Sequence, residues 1–141
     1  MNVDRIFKAL GDPHRLIILR LMIEEKQSLC VCELVTVLGL PQYQVSRHLG
    51  VLKKLNLVKV QKIGTWAYHS FNGALPINNV LADFLVKAIP KKELDAEFKK
   101  MKDRLALRFN GKCVVGFEED LSSAPILPLP RGVKKVNKGR L

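Results

Sequence analysis

The stretch from residue 40 to residue 71, LPQYQVSRHLGVLKKLNLVKVQKIGTWAYHSF, changes its apolar period halfway along and thereby decides the fold. Apolar residues recur at helical spacing from Gln42 to Asn56, directly after Pro41, a residue type that often stands where helices begin. From Leu57 to Ile63, and again from Trp66 to Phe71, the pattern is that of β-strands. The sequence therefore predicts a helix that leads into a β-hairpin.

Three more helices are predicted on the amino-terminal side of this stretch. Apolar residues recur at helical spacing from Val3 to Leu10. Asp12-Pro13 is a strong start signal for a second helix running to about Glu25, because Asp caps helices and Pro favours their first position. A third helix is predicted from Leu29 to Leu38, and the glycine that follows it is typical of a helix end.

Two helices are predicted after the hairpin, one from Ile77 to Ala88 and one from Lys91 to Arg108, with Asn110-Gly111 as the cap of the second. The second helix carries apolar residues with the 4-3-4 spacing of a coiled-coil seam. These seam residues are Leu94, Phe98, Met101 and Leu105. The predicted fold is mainly α with a small β-hairpin (α+β).

The positive charge is concentrated on the central helix and the hairpin. The chain has 24 Lys and Arg against 13 Asp and Glu, which is a formal net charge of +11. No Asp or Glu occurs from Leu34 to Ala82. Such a basic surface favours an acidic partner, and helix, helix and basic hairpin are the elements of a winged helix-turn-helix in their usual order. We therefore expect the chain to bind double-stranded DNA.

The helix that begins at Gln42 is expected to enter the major groove. Gln can pair with adenine and Arg with guanine through two hydrogen bonds, while Lys and Ser hold phosphates. The candidate DNA contacts are Gln42, Tyr43, Gln44, Ser46, Arg47, His48, Lys53 and Lys54 on the helix, and Lys59 and Lys62 on the hairpin. The same pattern also fits a solvated helix face, and His48 fits a core position equally well.

The three cysteines are candidates for free thiols or thiolate ligands. Cys30 and Cys32 lie at the start of the predicted third helix, where the positive end of the helix dipole is expected to lower the pKa of a thiol. Residues i and i+2 of a regular helix do not face each other, so binding through both is expected to distort this helix. Cys113 fits a third ligand and a small buried apolar residue equally well.

Four short motifs follow one another along the chain: LGDPHRL at residues 10–16, CVCEL at 30–34, VSRHL at 45–49 and GTWAY at 64–68. Together they resemble the motifs of the ArsR/SmtB family of metal-responsive repressors, over about residues 3–110. The resemblance implies a winged-helix homodimer whose first and last helices form the interface. It also implies operator DNA as the partner and an inducer that lowers the affinity for DNA.

The CVCEL motif is most similar to the arsenic-responsive branch of this family, in which it supplies thiolates to trivalent arsenic or antimony. The resemblance therefore implies arsenite or antimonite as inducer, with no organic cofactor and no catalysis. Some members have a further Cys where this chain has Val35, which leaves Cys113 as the candidate third ligand beside Cys30 and Cys32. The implied dimer interface comprises Ile6, Phe7, Leu94, Phe98, Met101 and Leu105.

Other branches and other functions fit the sequence less well. The zinc site of the family would need His on the last helix, and no His follows His69. The cadmium and lead site would need a Cys within residues 1–29, which contain none. A thiol redox or persulfide switch on the same DNA-binding unit stays open. A small thiol enzyme is disfavoured, because the sequence has no Gly-rich cofactor loop and no acid/base constellation.

The sequence divides into three parts by composition. Residues 1–110 are expected to form the DNA-binding and dimerisation domain, and residues 111–117 a Cys-containing apolar segment. Residues 118–141 contain three Pro and five basic residues beyond position 130, which predicts a disordered basic tail that adds nonspecific DNA affinity. No apolar run approaches a membrane span and no signal peptide pattern is visible, so we expect a cytoplasmic protein without a membrane partner.

Overall fold

The computed structural model describes residues 3–114, so the predicted basic tail and residues 115–117 of the predicted segment 111–117 lie outside the described residues. The elements are α1 Val3–Leu10, α2 Pro13–Glu24, β1 Leu29–Cys30, α3 Val31–Leu38, α4 Gln42–Lys54, β2 Val58–Ile63, β3 Trp66–Phe71, α5 Pro76–Ala88, a 3₁₀ helix Lys91–Leu94 and α6 Asp95–Leu105. The predicted fold class, mainly α with a small antiparallel sheet, is confirmed.

The start of α2 and the end of α3 follow directly from local sequence signals. The Asp12 carboxylate accepts hydrogen bonds from the backbone N–H groups of His14 and Arg15, at 2.8 and 3.3 Å. Pro13 occupies the first helical turn, where its missing N–H costs nothing. Gly39 ends α3 with a φ of 66°, a conformation that glycine adopts without a steric penalty.

The sheet has a third strand that the sequence did not predict. Strands β2 and β3 pair as the expected hairpin, from Val58 opposite Phe71 to Ile63 opposite Trp66. Leu29 and Cys30 then pair with the other edge of β3, so the expectation that the third helix begins at Leu29 was wrong. A two-residue strand has no recognisable period, and only its tertiary partner makes it extended.

The last predicted helix is shorter than expected and differs at both ends. Residues 91–94 form a 3₁₀ helix, and α6 ends at Leu105 rather than at Arg108. Asn110-Gly111 is not its cap. Asn110 and Gly111 have φ values of 53° and 74° in a turn that brings Phe109 opposite Lys112. Asn-Gly favours such a left-handed turn as strongly as it favours a helix end.

The core lies between the helix-turn-helix and the hairpin. Side chains with no exposed surface come from several elements: Ile18, Leu19 and Leu21 on α2, Leu29 on β1, Leu34 on α3, Leu52 on α4, and Leu57 just before β2. Helix α6 packs against α3 and adds Met101 to this core. The core is therefore shared by α2, α3, α4 and the sheet, with α4 in contact with both α2 and β2.

The coiled-coil seam of the last helix packs against its own chain. Leu94 and Met101 are 8% and 2% exposed, and Phe98 and Leu105 are partly buried against the same core. Ile6 is also buried, at 8% exposure, whereas Phe7 is 65% exposed. Of the six residues predicted for a dimer interface, only Phe7 is thus largely exposed on the protomer, and Ile6, Phe98, Met101 and Leu105 pack in or against its core.

The exposed apolar side chains concentrate on two helices that both pack on α2. Phe7 lies on α1, and Ile77, Val80 and Phe84 lie on α5, with exposures between 50% and 65%. Large apolar groups in such number on one protomer commonly mark an interaction surface. Within residues 3–114, no helix is long and apolar enough to cross a membrane.

Replacing Met101 with Ala tests whether the seam belongs to the core of the protomer. We expect the M101A variant to lose about 2–5 kcal/mol of unfolding free energy, because it leaves a cavity between α6 and α3. Urea denaturation at several protein concentrations measures this loss. The exposed neighbour variant K100A should change the unfolding free energy by less than about 0.5 kcal/mol. An M101A chain as stable as K100A would contradict the core assignment.

Candidate metal centre and nucleic-acid interface

Three thiols that are far apart in the sequence meet in one buried cluster. Cys30 precedes α3, and Cys32 lies in the first turn of α3. Cys113 lies after α6, on residues 106–114, which we call the arm. The Sγ atoms of Cys30 and Cys32 are 3.0 Å apart, and those of Cys32 and Cys113 are 3.5 Å apart. All three sulfur atoms lie within 4.8 Å of one another, and each residue is at most 2% exposed.

Cys30 and Cys32 converge because Cys30 is not helical. It is the N-cap of α3, with φ −92° and ψ 163°, and its extended backbone turns the side chain over the first helical turn. The two sulfurs therefore converge without any distortion of α3, contrary to the expectation from regular helix geometry. The i+2 rule applies only when both residues have helical dihedral angles, and here only Cys32 does.

The Cys113 backbone is held by the wing of the fold. Its N–H donates a hydrogen bond of 3.0 Å to the Tyr68 hydroxyl, on strand β3. Tyr68 lies directly opposite Cys30 in the sheet, and the partly buried Trp66 packs against the same cluster. The aromatic residues of the hairpin thus line the thiol cluster, which is why they face inward rather than toward DNA.

Two charged residues that the sequence analysis did not single out lie at the cluster. Arg108 donates from Nε to Glu33 Oε2 at 2.7 Å and from Nη2 to Glu33 Oε1 at 2.6 Å. Glu33 Oε1 also accepts the Cys30 backbone N–H at 3.0 Å. The sequence does hold a signal for Glu33, because an acidic residue three positions after an N-cap is typical of a capping box. No local pattern indicates its pairing with Arg108.

The thiols at the start of α3 do not have lowered pKa values. Hydrogen bonding to Cys113 and Cys32, together with burial, raises the pKa of the Cys30 thiol. The hydrogen bond to Cys113 raises the pKa of Cys32 to about 12. The expected lowering by the helix dipole is thus outweighed by desolvation and by thiols that donate to one another. Cys30 and Cys32 are therefore protonated at pH 7.

A cavity of about 290 Å³ borders the cluster between the hairpin and the arm. Tyr68 and Arg108 line it, and both also contact the segments that carry the cysteines. Gly111 and Lys112 of the arm form part of its rim. The residues that line the cavity thus include Tyr68 and Arg108 but none of the three cysteines.

Most of the predicted DNA contacts lie on one exposed surface. Gln42, Tyr43, Ser46, Arg47, Lys53 and Lys54 are exposed on α4, Gln44 is half-buried, and Lys59 and Lys62 are exposed on β2. The Arg47 guanidinium lies 5.9 Å from the centre of the Tyr43 ring, and Gln44 donates to the Tyr43 hydroxyl at 3.4 Å. These side chains support one another at the start of α4, where a groove-binding helix needs them.

His48 does not lie on this surface. The residue is 5% exposed, and its Nδ1 is 3.1 Å from Nη1 of Arg15 on α2. Burial lowers the pKa of its imidazole, which is therefore neutral at pH 7. The prediction that His48 contacts DNA was wrong, because its position on α4 faces α2 and the core.

Asp12, His14 and His48 form a second group of potential metal ligands, with ligand atoms within 4.8 Å of one another. The Asp12 carboxylate already caps α2, and the Arg15 guanidinium contacts the His48 ring. A permanent positive charge at this distance opposes a cation. This group is better explained as the junction that fixes α2 to α4.

Comparison with known proteins identifies a family and several relatives. Residues 12–60 match the model of the bacterial regulatory protein, arsR family. The chain is 50% identical over 64 residues to the uncharacterized HTH-type transcriptional regulator MJ1325 of Methanocaldococcus jannaschii, covering 45% of this chain and 71% of that protein.

Two further relatives are named as arsenical resistance operon repressors. The one from Bacillus subtilis is 34% identical over 89 residues, which is 63% of this chain and 83% of that repressor. The one from Escherichia coli is 38% identical over 72 residues, which is 51% of this chain and 61% of that repressor. The match to the Escherichia coli protein thus spans about three fifths of its length.

Solved structures show the same fold. HlyU from Vibrio cholerae superposes with a TM-score of 0.55 at 24% identity, covering 62% of this chain and 91% of HlyU. The transcriptional repressor BigR from Xylella fastidiosa superposes with a TM-score of 0.56 at 24% identity, covering 65% of this chain and 87% of BigR. At this level of identity the likeness concerns the fold alone.

Burial of the cysteines predicts slow reaction with thiol reagents. In the reduced native protein, we expect iodoacetamide to modify all three cysteines at least about tenfold more slowly than in 8 M urea, because a buried thiol reacts only after local opening. Mass spectrometry of quenched time points measures the three rates separately. Equal rates in native and unfolded protein would contradict the buried cluster.

Proposed function

The chain belongs to the arsR family of bacterial regulatory proteins and is a transcriptional repressor with a DNA-binding helix-turn-helix, and we propose that it responds to arsenite or antimonite. In this proposal a homodimer binds operator DNA and releases it when Cys30, Cys32 and Cys113 of one protomer bind the metalloid. The members of the family named above are transcriptional regulators and not enzymes.

The observation that carries the proposal is the convergence of the three sulfur atoms. Soft thiolates select thiophilic ions over the hard cations that prefer oxygen. Trivalent arsenic and antimony bind three sulfurs in a pyramid, and three sulfurs within 4.8 Å of one another match that number. All three come from the same chain, so a single protomer suffices for a complete site.

Charge balance favours a trivalent metalloid over a divalent cation. Arsenous acid, As(OH)₃, condenses with three thiols to give a neutral tris-thiolate and three water molecules, and no charge enters or remains in the site. A divalent cation bound to three thiolates would leave a net charge of −1 beside the Glu33 carboxylate, which lies 3.0 Å from the Cys30 backbone nitrogen. Burying that charge would be costly in a site that is at most 2% exposed.

The DNA-binding surface of the proposal is the exposed face of α4 with the hairpin. Gln42, Gln44 and Arg47 are candidates for base contacts, because they lie near the amino-terminal end of the helix and carry bidentate hydrogen-bonding groups. Ser46, Lys53, Lys54, Lys59 and Lys62 are candidates for phosphate contacts, and Tyr43 supports Arg47.

The site and the DNA-binding surface are adjacent in the fold. Cys30 and Cys32 begin α3, α3 packs directly on α4, and the two helices are joined by a short connection at residues 39–41. Bond formation draws three sulfurs toward one atom and moves the start of α3 against the sheet and the arm. A small displacement of α3 tilts α4 out of the groove, because the packed core transmits it.

The dimer of the proposal uses the exposed apolar side chains of α1 and α5 rather than the seam of α6. Phe7, Val80 and Phe84 are each at least 60% exposed, while the seam residues of α6 are buried or partly buried. A second copy of the chain packed against this face would bury these aromatic and aliphatic groups. It would also provide the second helix-turn-helix that a two-fold operator requires.

Arsenite titration tests the proposed function. With labelled operator DNA and reduced protein, we expect arsenite to weaken binding by a factor of about 5–150, the usual range of allosteric coupling. The C30S and C32S variants should bind DNA and keep the same affinity when arsenite is added. The response of C113S to arsenite distinguishes two protein ligands from three. Fluorescence anisotropy follows the release. Release by oxidant but not by arsenite would replace the metalloid with a thiol redox switch in the same repressor.

Replacing Phe84 with Asp tests the proposed dimer face. We expect F84D to sediment as a monomer and to lose at least about tenfold in operator affinity, because the two half-sites are then bound independently. Sedimentation velocity and the anisotropy assay measure both properties. The matched variant K100D introduces the same residue on the exposed side of α6 and should remain dimeric. A dimeric F84D chain would exclude this face.

A further inference from the structure

The arm is a short segment, and few contacts hold it at the thiol cluster. It leaves α6 after Leu105, turns at Asn110-Gly111 and brings Cys113 back to α3. Cys113 lies 81 residues from Cys32 along the chain. The position of its sulfur therefore depends on what fastens the arm and not on the local geometry of α3.

Arg108 is the main fastening of the arm. Besides the two hydrogen bonds to Glu33, its guanidinium donates to the backbone oxygen of Ser28, to Gln27 Oε1 at 3.0 Å and to the Gly111 oxygen at 3.4 Å. The side chains of Arg108 and Glu33 are 6% and 1% exposed. A buried and bidentate ion pair of this kind specifies a single geometry, because any other position leaves a charge desolvated and unpaired.

The same groups also hold the other ligands. Glu33 accepts the backbone N–H of Cys30, so one carboxylate joins the N-cap cysteine to the arm. Tyr68 accepts the N–H of Cys113, and the Arg108 guanidinium lies 5.4 Å from the centre of the Tyr68 ring. Arg108, Glu33 and Tyr68 therefore form one contiguous clamp around the thiols.

We propose that Arg108, Glu33 and Tyr68 are positioning residues that keep Cys113 in the cluster and set the coordination of the metalloid at three sulfurs. This inference rests on the proposed function. Without the clamp the arm leaves α3, and Cys30 and Cys32 remain as a two-sulfur site. The clamp thus decides coordination number and retention of the inducer, although none of its side chains bonds to the metalloid.

The first test counts the sulfurs bound to arsenic. X-ray absorption of the arsenite-loaded full chain should give three sulfurs for the wild type and two for R108M, as for C113S. R108M keeps the length of the side chain and removes its charge, and K112M removes a neighbouring positive charge from the arm without touching the clamp. K112M should keep three sulfurs.

A double-mutant cycle separates positioning from general weakening. We expect R108M and C113S each to speed arsenite release to a strong dithiol by about tenfold or more, and the R108M/C113S chain to release no faster than C113S alone. A merely structural role of Arg108 would make the two effects multiply. Circular dichroism and operator binding without arsenite check that each variant is folded.

The second test needs no metalloid. In the reduced protein without arsenite, R108M and Y68F should raise the iodoacetamide rate of Cys113 at least about tenfold over wild type, with Cys32 changed much less. Y68F removes only the hydroxyl that accepts the Cys113 N–H, so it serves where R108M fails to fold. R108K retains the positive charge but cannot donate two parallel hydrogen bonds to Glu33. Its Cys113 should therefore react at a rate between those of wild type and R108M.

The outcomes distinguish the two proposals. The proposed clamp is wrong if the reactivity of Cys113 is unchanged in both R108M and Y68F, or if arsenic in R108M still binds three sulfurs. Neither result affects the arsenite response of the wild type. No arsenic–sulfur bonds in the wild type overturn the proposed function, and the Cys113 rates then still decide whether the clamp holds the arm. Arsenic bound to two sulfurs in R108M and to three in K112M supports both the proposed function and the clamp.

Discussion

The pairing of Leu29 and Cys30 with strand β3 is the constraint on which the site depends. Because these two residues are extended, α3 begins only at Val31 and Cys30 becomes its N-cap. The pairing also sets Cys30 opposite Tyr68, whose hydroxyl accepts the N–H of Cys113. One short stretch of sheet therefore brings together a helix start, the wing and the arm. The three thiols meet because these backbones meet.

The surroundings of the cluster explain how such a polar group is tolerated inside the protein. The thiols hydrogen-bond with one another, and the two buried charges beside them, Glu33 and Arg108, neutralise each other at 2.6 Å. Backbone groups next to the cysteines have partners as well, such as the N–H of Cys30 on Glu33. Hydrogen-bonded thiols and paired charges cost less to bury than unpaired ones.

The family relationship and the geometry contribute different things to the functional conclusion. The arsR family match covers residues 12–60, which include Cys30, Cys32 and the whole of α4 but not Cys113. The relatives thus support a DNA-binding repressor, whereas the third sulfur and the contacts that hold the arm come from the geometry of this chain. The apolar side chains of α1 and α5 were likewise found from their exposure in the structure and not from the heptad spacing. The heptad spacing lies on α6, which packs against α3.

The sequence by itself determined the helices with strong end signals, the hairpin, the fold class, the basic surface and the three candidate thiols. These depend on nearby residues: Asp12-Pro13 starts α2 and Gly39 ends α3 wherever the rest of the chain lies. Only the tertiary structure decided the extended state of Cys30, the burial of His48 and Met101, and the pairing of Arg108 with Glu33 across 75 residues of chain. Each of these depends on which distant surface covers a residue, and burial by a partner far along the chain overrides the local preference.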